Sequence, residues 1–126
     1  MIKRLFILFL FVTINGYTQS VYKDAGKISD STDYYLEIGL FNKEAKKSYT
    51  KAILYTEKAI EYAKANNLDN KLADCYLQLA TIFYELEKND LAIDYFIRAI
   101  SIYSKGEPNS NIALSYYGLG KCYLKK

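Results

Sequence analysis

Residues 76–99 read YLQLATIFYELEKNDLAIDYFIRA, and this stretch decides the fold. Large and small apolar residues recur at i, i+4 and i+7 in each half, as Tyr76, Ala80 and Phe83 and then as Ala92, Phe96 and Ala99. That spacing places each set on one face of an α-helix. The polar segment Lys88-Asn89-Asp90 between the halves is typical of a short turn. The stretch therefore predicts two amphipathic helices joined by a turn.

The same pattern recurs along the chain in steps of 40 residues. Ala52, Ile53, Tyr55, Ala59 and Ile60 return as Ala92, Ile93, Tyr95, Ala99 and Ile100, and Tyr76, Leu79, Ala80 and Phe83 return as Tyr116, Leu119, Gly120 and Tyr123. Thr50 and Asp90, also 40 apart, are residue types that favour helix N-caps. Self-similarity at a fixed period indicates a repeat architecture.

Breaks between these patterns divide the chain into helix-sized segments. Polar or Gly/Pro-containing stretches occupy residues 65–70, 88–90 and 106–110. We predict helices at about 32–45, 49–65, 71–86, 90–104 and 110–124. The expected fold is all-α: tandem antiparallel helix pairs, about two and a half repeats with a 40-residue period.

The chain resembles the tetratricopeptide repeat family at this point. The first helix of each repeat in that family carries an aromatic, Leu, a small residue and an aromatic, and here these are Tyr76, Leu79, Ala80 and Phe83. The second helix carries Ala, an aromatic and Ala, and here these are Ala92, Phe96 and Ala99. Ser104 stands where the family has a Pro at the end of its second helix. The resemblance is strongest over 71–104 and implies a solenoid over 32–126 that binds a protein or peptide.

The first helix pair departs from that pattern. Gly39, Leu40 and Lys43 stand where Leu, a small residue and an aromatic are expected. The apolar stripe of this helix is Tyr34, Ile38, Phe41 and Ala45, out of register with the other units. We interpret the pair as a diverged terminal unit, because terminal repeats are usually atypical.

Residues 1–18 have the layout of an export signal. Lys3 and Arg4 precede an almost wholly apolar run from Leu5 to Ile14, and small residues follow at Gly16 and Thr18. The run is too short for a membrane-spanning helix, which needs about 20 apolar residues. We predict a signal peptide at 1–18, a flexible lead at 19–31, and a periplasmic or secreted protein with no membrane span after cleavage. Cleavage after Gly16 or Ser20 is an open alternative.

Composition argues against several functional classes. The chain has no His, which removes imidazole acid/base catalysis and imidazole metal ligation. Removing Lys3 and Arg4 from the 17 basic residues leaves 15 against 14 acidic residues, so a nucleic-acid partner is not indicated. We expect no enzyme activity, no cofactor and no metal.

In the family that the chain resembles, the first helices of the pairs line a concave groove that receives a partner. The positions that carry over are Asp74, Leu77, Thr81, Tyr84 and Glu85 in the second unit and Leu114, Tyr117, Lys121 and Leu124 in the third. Tyr buries a large area at low entropic cost and also forms hydrogen bonds, which suits a binding surface. The alternative is that these are ordinary half-exposed helix residues.

Three smaller features carry competing interpretations. Gly118-Leu119-Gly120-Lys121 has some letters of a phosphate loop, but no strand precedes it and small residues are expected there. Glu57 and Glu61, four apart, are read as a solvated helix face rather than an acid/base pair. Cys75 and Cys122 are read as unpaired buried thiols, with a disulfide as the alternative.

The repeat pattern stops after the first helix of its third unit, which leaves Tyr123 and neighbouring residues uncovered. That helix is a cap, meets a partner, or belongs to a longer chain. The leading expectation is an extracytoplasmic protein- or peptide-binding module, such as the sensory part of the bacterial signalling regulators that share this resemblance. The alternative is a structural adaptor in an envelope assembly that forms a homo-oligomer through its C-terminal helix.

Overall fold

Helices account for most of the residues that the structure, a computed structural model, describes, namely 31–125. In chain order they are α1 (31–44), α2 (Tyr49–Ala65), α3 (Asp69–Glu85), α4 (Asn89–Tyr103) and α5 (Ser110–Leu124). The all-α prediction is confirmed, and every predicted helix end lies within two residues of the observed one. The predicted signal peptide, and the predicted lead apart from Ser31, lie outside the described residues.

The turns between the first four helices share one backbone geometry. Lys47, Asn67 and Glu87 have φ values of 50°, 54° and 59° and are spaced 20 residues apart. After two of them, the next amide closes the preceding helix: Leu68 N donates to Ala63 O, and Lys88 N donates to Phe83 O, each at 2.9 Å. A left-handed residue followed by such a bond is a common way to end an α-helix.

The N-cap prediction for Thr50 and Asp90 is wrong. Both residues lie within the first turn of a helix, and the caps are Ser48 and Lys88, neither of which forms a side-chain cap bond. The left-handed turn residues just upstream set these helix starts, so no capping side chain is required. Asp90 still lies where a negative charge favours the helix dipole.

The core lies around α3, which contacts α2, α4 and α5. Small residues dominate it: seven alanines are almost or completely buried, namely Ala52, Ala59, Ala63, Ala73, Ala80, Ala92 and Ala99. One cluster joins Ala73 and Tyr76 of α3 to Ala99 and Tyr103 of α4. A second joins Ala80 to Ala92, Phe96 and Cys122 and so reaches α5. Alanines at these positions let the helices approach closely, while the aromatics fill the remaining space.

The apolar pattern of α1 predicts the wrong inward face. In the predicted stripe of Tyr34, Ile38, Phe41 and Ala45, Tyr34 is 58% and Phe41 54% exposed. The buried residues of α1 are instead Thr32, Gly39, Asn42 and Lys43. Gly39 and Asn42 stand 40 residues before the buried Leu79 and Ile82 of α3, so by burial α1 keeps the register of α3.

Polar contacts accompany the burial of Gly39 and Asn42 in α1, whereas Thr32 Oγ1 is buried without a hydrogen-bond partner. Gln78 Nε2 donates to Thr56 Oγ1 at 2.8 Å and to Leu36 O at 3.3 Å, tying α3 to both α2 and α1. A Cβ at Gly39 would lie 2.6 Å from that Gln78 nitrogen, so only glycine permits the approach. Asn42 satisfies its own amide on Ile38 O. A pattern based on apolar residues alone does not reveal a helix face that is buried through polar contacts.

The two glycines of α5 have different surroundings. A Cβ at Gly118 would overlap the Phe96 ring of α4, so α4 and α5 pack closely there. A Cβ at Gly120 would meet nothing within 4 Å. No helix among the described residues covers that side of α5, so Gly120 makes no close helix contact there. As expected, Tyr123 is uncovered, at 56% exposure.

Within residues 31–125, no helix combines the length and the apolar content that crossing a membrane requires.

Candidate protein-binding face

The nine residues of the predicted groove lie on α3 and α5, two helices that contact each other. The structure divides them into three groups. Three are exposed on α5, namely Leu114, Tyr117 and Leu124, and Tyr84 and Lys121 beside them are half-buried. Leu77 and Thr81 are half-buried, and Asp74 and Glu85 are engaged in bonds to other helices.

The central feature of this face is a cluster of two tyrosines and two lysines, Tyr84, Tyr117, Lys121 and Lys125, here called the Tyr–Lys cluster. Lys121 Nζ lies 4.6 Å from the Tyr84 ring centroid and 5.4 Å from that of Tyr117. Lys125 Nζ lies 4.3 Å from the Tyr84 ring centroid. At exposed sites each such cation–π contact contributes about 0.5–1 kcal/mol. The contacts hold the Tyr84 ring between α3 and the last turn of α5.

Lys125 is a member of the cluster that the sequence analysis missed. It follows Lys121 by four residues, so the two lysines share one face of α5. That spacing was the signal available in the sequence. The lysines keep N–H donors for a partner's carbonyl or carboxylate oxygens, while the exposed Tyr117 ring offers apolar area.

Asp74 holds α3, α4 and α5 together rather than facing a partner. Its Oδ1 accepts a short hydrogen bond from Tyr103 Oη and a 2.9 Å bond from Asn111 Nδ2. Burial and then the bond to Asp74 raise the pKa of the Tyr103 phenol above its usual range. Burial, with the nearby Asp74 charge, also raises the pKa of the Cys75 thiol to about 12. We therefore assign Asp74 to the packing of the helices.

Glu85 likewise connects helices. It accepts hydrogen bonds from Lys43 Nζ of α1 at 3.1 Å and from Tyr49 Oη of α2 at 3.0 Å. Burial alone lowers the pKa of Lys43, but its hydrogen bonds to Glu44 and Glu85 outweigh burial and leave that pKa raised. The ammonium is thus held charged although the residue is only 6% exposed. Removing Glu85 would leave Glu44, on the same helix, as the remaining carboxylate for this buried charge.

Leu77 and Thr81 form the half-buried floor between these residues. Leu77 packs against both core clusters, and Thr81 Oγ1 donates to Leu77 O at 2.9 Å. Their side chains serve mainly the packing of the helices, and only part of each side chain is exposed. The face that remains for a partner is the Tyr–Lys cluster with the exposed leucines of α5.

A second concave feature lies between α2 and α4. A cavity of about 260 Å³ is lined on the α2 side by Glu57, Glu61 and Lys64 and on the α4 side by Tyr95 and Arg98. Arg98 pairs with Asp94 at 2.9 Å and lies 5.4 Å from the Tyr95 ring centroid. Glu57 and Glu61 are exposed, which agrees with a solvated helix face.

Neither of the other two features of the sequence forms a reactive site among the described residues. Gly118-Leu119-Gly120-Lys121 lies inside α5 and not in a loop. Cys75 and Cys122 are both buried and unpaired, as expected. Across residues 31–125, no three His, Cys, Asp or Glu side chains converge as a metal site would require.

Comparison of the chain with protein-family models, with curated proteins and with solved structures gives no match.

Proposed function

We propose that this chain is an exported protein- or peptide-binding module of the tetratricopeptide type. Two features support a repeat with a 40-residue period. Ala52 and Ala59 are fully buried, and so are their counterparts Ala92 and Ala99. The left-handed turn residues recur every 20 residues, half of that period. Turns that share a left-handed residue, between helices of similar length, favour a solenoid, in which each pair stacks on the next.

The Tyr–Lys cluster carries the binding proposal. Two helices bring the exposed Tyr117 ring, the half-buried Tyr84 ring and two ammonium groups to one face, where they leave a partner both apolar area and hydrogen-bond donors. Tyrosine-rich patches of this kind are enriched where proteins bind one another. The proposal is of a non-enzymatic role, such as the sensory part of a signalling protein; the absence of His removes imidazole chemistry, and the conspicuous side chains here are suited to recognition.

Site-directed photo-crosslinking in the producing cell tests this function. A photoreactive amino acid in place of Tyr117 is expected to yield one discrete crosslinked partner. The same group in place of Leu54, which is 49% exposed on α2, serves as the matched control and yields none. Capture of that partner by the purified protein falls at least about tenfold in a Tyr84→Ala/Tyr117→Ala variant, since two interface aromatics are lost. Undiminished capture by a folded double variant would refute the proposal.

A second candidate function is favoured by a different observation. The outward side of α5 exposes Tyr116, Tyr123 and Leu124 at 55%, 56% and 89%. An apolar face of this kind suits a structural adaptor in an envelope assembly that self-associates through α5. Light scattering after size exclusion distinguishes the two functions. A monomer favours the binding module, and a dimer that a C-terminal truncation abolishes favours the adaptor.

A further inference from the structure

A cavity between α1 and the second half of α2 shares no residue with the Tyr–Lys cluster. Its volume is about 540 Å³, and its lining residues are Tyr35, Lys58, Glu61, Tyr62, Ala65 and Asn66. Small-molecule sites in proteins commonly have volumes of about 300–1,000 Å³ and combine apolar walls with a few polar groups. The size and the lining of this cavity both meet that description.

The aromatic wall of the cavity is held in place by its own neighbours. The Tyr55 ring stacks on the Tyr35 ring with 6.4 Å between centroids and 18° between planes, and the Tyr34 ring meets Tyr35 edge-on at 5.4 Å. Lys58 Nζ lies 5.8 Å from the Tyr35 centroid and 5.4 Å from the Tyr55 centroid. A wall that is already ordered reduces the entropic cost of binding a ligand.

The polar side chains of the cavity are balanced in charge. Lys58 and Glu61 carry opposite charges, and neither forms an ion pair with another of the described residues. Asn66 Nδ2 donates to Tyr62 O at 2.9 Å, which orients the amide and leaves its Oδ1 as an acceptor. The cavity therefore offers donors and acceptors without a net charge. An anion would be repelled by Glu61 and a cation by Lys58, so a neutral ligand is favoured.

The helical walls narrow the class of ligand further. The backbone N–H and C=O groups of α1 and α2 bond within their own helices, so an extended peptide has no main chain here with which to pair. A purely aromatic ligand would desolvate Glu61 and the Asn66 amide without replacing their bonds to water. A sugar ring meets both demands, because its C–H face packs on a tyrosine ring while its hydroxyls donate and accept hydrogen bonds.

From this geometry we infer that the cavity binds a short neutral saccharide. Tyr35 and Tyr62, the latter 36% exposed, pack on the C–H faces of the sugar. Glu61 and Asn66 accept hydrogen bonds from its hydroxyls, and Lys58 donates one. The inference does not rest on the proposed function, because the two sites share no residue.

Saturation-transfer difference NMR of the purified protein with cellotriose, xylotriose, mannotriose and chitotriose tests this site. At least one of these sugars is expected to receive saturation at its ring C–H protons, and calorimetry then gives its dissociation constant. Tyr62→Ala is expected to weaken that binding at least about tenfold, because a stacking face is lost. Glu61→Ala, at an exposed position of α2, is expected to weaken it by a similar factor, because a charged acceptor is lost.

Matched variants separate this site from the rest of the surface. Tyr116→Ala removes a tyrosine that is 55% exposed on α5 and leaves the saccharide affinity unchanged. The Tyr84→Ala/Tyr117→Ala variant also retains that affinity, so failure of the proposed function and failure of this inference are distinguishable. Circular dichroism verifies the fold of each variant. Absence of saturation transfer to all the sugars, or unchanged affinity in folded Tyr62→Ala and Glu61→Ala proteins, overturns the inference.

Discussion

Three residues hold a left-handed backbone that their side chains do not favour. Lys47, Asn67 and Glu87 carry a β-carbon at φ values of 50–59°. For an L-residue other than Gly or Asn this conformation costs roughly 1–2 kcal/mol. The turns tolerate that cost because each left-handed residue lies in a link of only three or four residues, where one helix ends and the next begins. Asn67 is the least strained of the three, since Asn tolerates this region best.

Glu87→Gly is expected to raise the free energy of unfolding by about 0.5–1 kcal/mol. Removal of the left-handed strain outweighs the larger conformational entropy of glycine in the unfolded chain. Urea denaturation followed by circular dichroism measures the change. Glu57→Gly, at an exposed interior position of α2, is the matched control and should lower stability by about 0.5–1 kcal/mol. A loss of stability at both positions would show that the turn carries no strain.

The helix α5 has one buried side and one side that is exposed to solvent. One side packs through Ser115 and Cys122, which are fully buried, and the other exposes aromatic and aliphatic residues. Gly118 and Gly120 lie on these different sides, two residues apart. The first allows the contact with Phe96, and the second faces open space.

Gly118→Ala and Gly120→Ala are expected to change stability in opposite directions. The Gly118 substitution forces the buried Phe96 ring to move and should lower the free energy of unfolding by about 1–3 kcal/mol. The Gly120 substitution meets no neighbour and should raise it by about 1 kcal/mol, because alanine favours a helix interior over glycine. Urea denaturation of the two variants in parallel tests both signs. A gain from Gly118→Ala would refute the close approach of α4 and α5.

Across the whole molecule, ionisable groups buried around α3 link stability to pH. The pKa of Cys75 is raised by burial from 9.0 to about 12, and that of Tyr103 is raised from 10.0 by burial and by its bond to Asp74. Between pH 9 and 12 the unfolded chain therefore loses these protons while the folded chain keeps them. A group with a raised pKa stabilises the fold fully below its unfolded pKa, and this contribution decreases as the pH rises.

We therefore expect the free energy of unfolding to fall above pH 9, by up to ~1.4 kcal/mol per pH unit for each such group. Denaturation in urea at pH 7, 9 and 10.5, with a reductant present, measures the slope. A Cys75→Ala/Tyr103→Phe variant is less stable at pH 7, since a packed bond is lost, but its stability should fall less steeply with pH. Parallel curves for the two proteins would contradict the assignment.

The export prediction also concerns the whole molecule. Mass spectrometry of the protein recovered from outside the cytoplasm is expected to give Gln19 as the first residue. A first residue at Tyr17 or Val21 would support one of the alternative cleavage sites. Retention of residues 1–18 would contradict the signal peptide.

The sequence by itself determined the helices and their ends, because the spacing of apolar residues and the polar breaks between them are local properties. It also indicated the two buried thiols and the uncovered Tyr123. The inward face of α1 was not predictable in the same way. Gln78 and Thr56 meet Gly39, and Glu85 meets Lys43, from other helices, and no local pattern records those partners.

The candidate site shows the same division between local and tertiary information. Tyr84, Tyr117 and Lys121 were predicted because the family resemblance implies that their helices line a groove, and the structure brings them together. Asp74 and Glu85 occupy equally plausible positions on α3, yet hydrogen bonds from α1, α2, α4 and α5 engage them. A helix pattern gives the direction of a side chain relative to its own axis. Only the packing of all the helices decides whether that side chain meets solvent or a neighbour, because these contacts join residues about 30 to 40 positions apart.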